Sequence, residues 1–127
     1  MEPHLEPGDI LLSRKNWHLS NVGLPGFWPH AILYVGSPER LKAYFDDPRV
    51  TSYLRERFGD ESFEDCLMKR CPDRWRRYRV ADEGSGCRVI EAVKDGVLMH
   101  TWAQACGDYL AVLRPRVSKT VKARAIL

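Results

Sequence analysis

The sequence predicts an α+β domain with an antiparallel sheet, because its strand-like runs are segregated from its helical stretch. Short β runs lie near residues 10–13, 30–36 and 87–114, while residues 37–86 are charged and carry sparse apolar residues near helical spacing. Asp95-Gly96, between two such runs, is a strong two-residue hairpin signal and makes antiparallel pairing the natural arrangement. At 127 residues the chain fits a single domain, spanning 1–127.

Each element has its own signal. Pro7-Gly8-Asp9 is a turn, and Ile10-Leu11-Leu12-Ser13 behind it is the first strand. Residues 14–29 mix Asn, Ser, Gly and Pro with aromatic side chains and read as a loop. His30 then opens Ala31-Ile32-Leu33-Tyr34-Val35, a continuous apolar run expected to be covered on both faces and stopped by Gly36. Within 37–86, Asp47-Pro48 starts a helix bearing Val50, Tyr53, Leu54 and Phe58. Ser62 with Asp65 resembles a capping box for a second helix, which buries Phe63, Cys66 and Leu67. Pro72 restarts the helix before Trp75, and Asp82–Gly86 is a turn. Residues 87–93 and 97–100 form the hairpin strands, and Tyr109–Arg114 is a last strand closed by Pro115. Ser118 caps a terminal helix whose expected apolar face, Val121, Ala125, Ile126 and Leu127, predicts self-association through residues 118–127.

Composition excludes several classes. The longest apolar run is far short of the roughly 20 residues of a membrane helix, so no integral membrane segment is expected. The acidic, proline-broken start is no secretory signal, and the expected location is cytoplasmic. Twenty basic against 17 acidic residues give a net charge of +3, too mild to imply a nucleic-acid partner. Cys66, Cys71, Cys87 and Cys106 have no CxxC spacing, and His100 adds no convergent turn. Reduced thiols, no metal site and no cofactor are therefore expected.

Two residues carry candidate chemistry. His30 sits at the mouth of a strand after Phe27-Trp28-Pro29, where a general base can reach substrate from a rigid backbone. Glu91 lies inside Val89-Ile90-Glu91-Ala92-Val93, where an ionised carboxylate is costly unless paired. If the two strands are neighbours, Glu91 can hold one imidazole nitrogen and leave the other free to take a proton. If the strand simply alternates, Glu91 faces water instead. Trp17, Phe27, Trp28 and Tyr34 are the aromatic candidates for lining a cleft beside this pair.

The ordered set Pro7-Gly8-Asp9-Ile10-Leu11, His30–Gly36, Val89-Ile90-Glu91-Ala92, Gly96-Val97 and Tyr109–Pro115 resembles the YiiX/YebB group. These are circularly permuted, NlpC-type, papain-like cysteine hydrolases. The resemblance implies a permuted papain-like fold, with His30 as the catalytic base and Glu91 as the residue orienting it. It further implies thiolate attack on a peptide amide or a lipid-like acyl ester. In that group the nucleophilic cysteine follows the last strand in a Tyr-Cys-Ser-Glu-like motif, which this sequence lacks. The resemblance therefore implies a C-terminally incomplete domain, inactive by itself. Segment 37–86 is longer than the group's usual link and reads as a helical insertion, which leaves the remaining scaffold small for an independent core. Cys106 and Cys87 are the candidate substitute nucleophiles within the chain.

The rival reading is a non-catalytic binding module. Asp73-Arg74-Trp75-Arg76-Arg77-Tyr78-Arg79 combines basic and aromatic residues that could dock a protein or an anionic partner. The simpler expectation is a solvated helix face with Trp75 packed inward.

Overall fold

The computed structural model describes residues 4–16, 26–59, 62–80 and 86–127. Strands β1 (Ile10–Arg14), β2 (His30–Tyr34), β3 (Cys87–Val93), β4 (Gly96–Thr101) and β5 (Tyr109–Leu113) form one sheet in the order β4-β3-β2-β1-β5. All four pairings are antiparallel. Between β2 and β3 run helices α1 (Pro38–Phe45), α2 (Pro48–Phe58), α3 (Phe63–Arg70) and α4 (Pro72–Arg79). A single turn, α5 (Trp102–Ala105), links β4 to β5, and α6 (Lys119–Ile126) follows. The fold is α+β.

The helices begin where their caps lie. Asp47 accepts a hydrogen bond from the Arg49 backbone N–H at 3.0 Å, with Pro48 at the first helical position. Ser62 accepts from the Asp65 backbone N–H at 3.0 Å and donates to the Asp65 carboxylate at 2.7 Å. The sequence reading missed α1, although the same signals are present. Ser37 caps it, Pro38 opens it, and Leu41 and Phe45 lie one turn apart on its buried side.

Two cores sandwich the sheet. The larger lies under the helices and contains Val35, Leu41, Phe45, Val50, Leu54, Phe63, Cys66, Trp75, Tyr78 and Ala123. Ile90 and Met99 of the sheet pack against it, Phe45 stacks on Phe63 at 4.4 Å, and the Tyr78 hydroxyl donates to the Gly36 carbonyl at 2.8 Å. The sparse apolar residues of segment 37–80 thus supply most of the larger core. That segment is built into the domain, and the expected shortage of core disappears. Trp75 is buried while Arg74, Arg76, Arg77 and Arg79 are exposed.

The second core, on the other face, contains Leu5, Leu11, Ile32, Tyr34, Val89 and Ala105. β2 is covered less completely than its apolar run suggested. Ile32 and Tyr34 are buried on this face, but Ala31 is exposed on the other. The helix-side core takes in Val35, Ile90 and Met99 and does not reach the start of β2.

The C-terminal helix packs on its own chain, through a face different from the expected one. Lys122 and Ala123 are buried, whereas Val121 and Ala125 are exposed. Lys122 sets this rotation. Its aliphatic stem lies 2.7–2.9 Å from where a Cβ on Gly8 would stand, and Gly8 has φ +90°. The ammonium donates to the Tyr44 hydroxyl at 3.0 Å and lies 3.7 Å from Glu6 and 3.9 Å from Asp9. Of the expected apolar stripe, Ile126 and Leu127 pack against the helix core while Val121 and Ala125 remain uncovered.

Candidate acid–base site

Pairing register assembles the site. Ile32 of β2 lies opposite Glu91 of β3, so His30, two residues before Ile32, shares its face and sits diagonal to Glu91. On the other side Leu98 of β4 lies opposite Glu91, and His100, two residues on, reaches the same face. Glu91 Oε2 bonds to His30 Nε2, and Glu91 Oε1 bonds to His100 Nδ1. The carboxylate side chain is 6% exposed, against 34% for His30 and 26% for His100. The acid is sheltered and the two bases are accessible.

This arrangement determines the proton positions. Burial raises the affinity of Glu91 for a proton. The hydrogen bonds from His100 and His30, with their charges, outweigh burial and hold the carboxyl below its ordinary value. An ionised carboxylate can only accept, so both facing ring nitrogens carry hydrogens. In the neutral rings, His30 Nδ1 and His100 Nε2 are left as free bases.

His30 and Glu91 were anticipated from sequence, and the structure brings them into direct contact. His100 was missed. Counting back from the Asp95-Gly96 turn would have placed it, since that turn pairs Val93 with Gly96 and Glu91 with Leu98.

Among the described residues the expected aromatics do not gather beside the imidazoles. Tyr34 is fully buried in the second core, edge-on to Trp102 at 6.2 Å, because its position in β2 points it inward with Ile32. Phe27 is exposed and packs on Trp28 at 4.9 Å, on Tyr109 at 5.5 Å and beneath the Arg14 guanidinium at 4.7 Å. Arg14 and Tyr109 are register partners that alternate to the face opposite Ser13 and His30. Phe27, with Trp28 against it, is therefore drawn away from the imidazoles. Trp17 lies outside the described residues.

Neither substitute cysteine is poised as a nucleophile. Cys87 packs against the helix-side core with its Sγ 3.6 Å from the Met99 carbonyl oxygen. Cys106 follows α5, where Gly107 N–H donates to Ser13 Oγ at 2.9 Å and a Cβ on Gly107 would meet the Arg14 oxygen at 2.3 Å. Burial pushes the Cys106 thiol up to about 11; Lys15 opposes this and the Glu91 charge adds to it. At neutral pH it is a thiol, whereas the attacking species is the thiolate. None of the four cysteines is joined in a disulfide.

Among the described residues no group of three or more His, Cys, Asp or Glu side chains is placed to hold a metal ion. No helix among them is long and apolar enough to cross a membrane.

A pH prediction follows from two buried carboxyls held below their ordinary values of 4.5 and 3.8, Glu91 and Asp9. The native carboxylates bind protons less readily than the unfolded ones, so unfolding takes up protons in acid. Their stabilisation is complete above the ordinary values and is lost as pH falls through the lower native ones. The urea midpoint should therefore fall below about pH 4.5, and less steeply in Glu91→Gln. A midpoint that rose on acidification in that range would contradict the assignment.

No family model, curated protein or solved structure matches this chain.

Proposed function

We propose that this chain carries the acid–base half of a thiol-dependent amide or ester hydrolase, of the permuted papain-like kind that its sequence resembles. The observation that supports this reading is the sheltered Glu91 carboxylate gripping two accessible imidazoles. His30 is the base. Its Nδ1 takes the proton of an attacking thiol, the thiolate adds to the acyl carbonyl, and the imidazolium returns the proton to the leaving group. Glu91 keeps the ring in the tautomer that presents Nδ1 and stabilises the imidazolium once it forms. Neither candidate cysteine supplies the thiol, because Cys106 is held protonated and Cys87 packs against the helix-side core.

The reading is tested by supplying the thiol. With p-nitrophenyl acetate and 2-mercaptoethanol, the protein should accelerate acetyl transfer to the added thiol, followed by p-nitrophenolate release. Loss of a general base commonly costs about 10²-fold or more, and His30→Ala should lower the protein-dependent rate by that factor. Without added thiol no turnover is expected. A rate unchanged in His30→Ala, or thiol-free turnover abolished by Cys106→Ser or Cys87→Ser, would overturn the proposal.

A further inference from the structure

Beside His100 the structure has a trough with two chemically different ends. Its apolar end is a cavity of about 240 Å³ walled by Val35, Leu67, Trp75, Ile90, Met99 and Ile126, with Arg74 also on its wall. Its polar end is a cavity of about 340 Å³ that includes Arg74, Arg77, His100 and Gln104. Arg74, Val97, Leu98 and Met99 line both, so the two are adjoining parts of one trough along β4.

Arg74 and Arg77 are three residues apart on α4 and therefore share a helix face. Both are exposed, and neither forms an ion pair with a described residue, whereas Arg76 pairs with Asp73. Among the described residues no Asp or Glu side chain lines either cavity. The guanidiniums thus present planar donors to an anion at the mouth of an apolar cavity. The apolar end exceeds the roughly 150 Å³ in which a benzene ring can be held.

We infer that this trough binds a small organic anion: an apolar body, a ring or a short alkyl chain, seated by Trp75 and Met99, with its carboxylate on Arg74 and Arg77. The trough lies on the helix side of the sheet with Ile90 and Met99, so this inference goes beyond the acid–base reading and does not rest on it.

The test is a titration of the full chain with 4-phenylbutyrate, followed by amide chemical shifts and tryptophan fluorescence. Saturable shifts are expected at Val97, Leu98, Met99 and the Trp75 indole. The neutral 4-phenylbutanol should bind about tenfold more weakly, since a charge-assisted contact is worth roughly that factor. Inorganic phosphate, which lacks the apolar body, should not shift Trp75. Arg74→Ala/Arg77→Ala, both solvent-facing changes, should weaken phenylbutyrate about tenfold and leave phenylbutanol unaffected. The inference is overturned by absence of saturable binding, by equal affinity for acid and alcohol, or by indifference to the arginine pair. Shifts centred instead on the basic pocket of Arg57, Arg70 and Arg124 would also overturn it. Binding without thiol-dependent turnover would sink the hydrolase reading alone; turnover without binding would sink this inference alone.

Discussion

Asp9→Ala is expected to destabilise the fold by about 3 kcal/mol, since removing one partner of a buried ionic group strands the others. Asp9 is fully buried beneath the N-terminal turn. Its carboxylate accepts from Arg114 Nε at 3.0 Å, from Arg114 Nη2 at 2.8 Å and from the Glu6 backbone N–H at 2.9 Å. Burial raises its proton affinity; the Arg114 and Glu6 hydrogen bonds and the charges of Arg114 and Lys122 overcome this, and the carboxyl stays below its ordinary value. Arg114 also reaches Glu6 at 3.0 Å and the His4 carbonyl at 2.6 Å. The network ties the start of β1, the end of β5 and α6 together. Without Asp9, the buried Lys122 keeps only Glu6 as a nearby counter-charge among the described residues. At roughly 4 °C per kcal/mol for a chain of this size, the melting temperature should drop by about 12 °C. The imidazole–carboxylate cluster lies elsewhere on the sheet, so its NMR signals should persist below the new transition. A loss under about 1 kcal/mol would show the network to be screened like a surface salt bridge.

That network also shows what the sequence could and could not reveal. Pro7-Gly8-Asp9 reads correctly as a turn, because proline and glycine set backbone angles locally. That Asp9 would be buried against Arg114, 105 residues away, has no local signature. The same division holds across the fold. Caps at Asp47, Ser62 and Ser118 are written within four residues and could be read directly. The rotation of α6 depends on where Lys122 finds acids and a hydroxyl on distant elements, so its apolar stripe was misassigned. His30 and Glu91 could be paired only conditionally, because sequence does not say which strands are neighbours. His100 needed only the hairpin count, which is local. The aromatic loop misled for a different reason. Apolar size attracts attention near a candidate base, but strand alternation at Arg14 and Tyr109 decides which face receives Phe27.

Glu91→Gln should lower thiol-dependent acetyl transfer by about 100-fold while leaving the fold intact, the low end of what a positioned acid–base group contributes. Glutamine matches glutamate in shape but not in hydrogen-bonding capacity. The carboxylate offers an acceptor oxygen to each ring, Oε2 to His30 and Oε1 to His100. The amide offers one acceptor oxygen and one NH2 donor. One of the two imidazoles must then receive a hydrogen bond where it formerly gave one, and its proton moves to the nitrogen that faced substrate. If that ring is His30, its free base is gone; if it is His100, His30 still loses the negative charge that stabilises its imidazolium. Both routes reduce the rate, and nitrogen-15 shifts separate them, because the altered ring exchanges its protonated and bare nitrogens. A third variant, His100→Gln, removes the second ring while leaving the His30–Glu91 contact in place. It should keep the His30 tautomer and lose far less activity than Glu91→Gln. If Glu91→Gln retained wild-type transfer with both tautomers unchanged, the carboxylate would be a structural staple between β2, β3 and β4. In that case His30 would act without it.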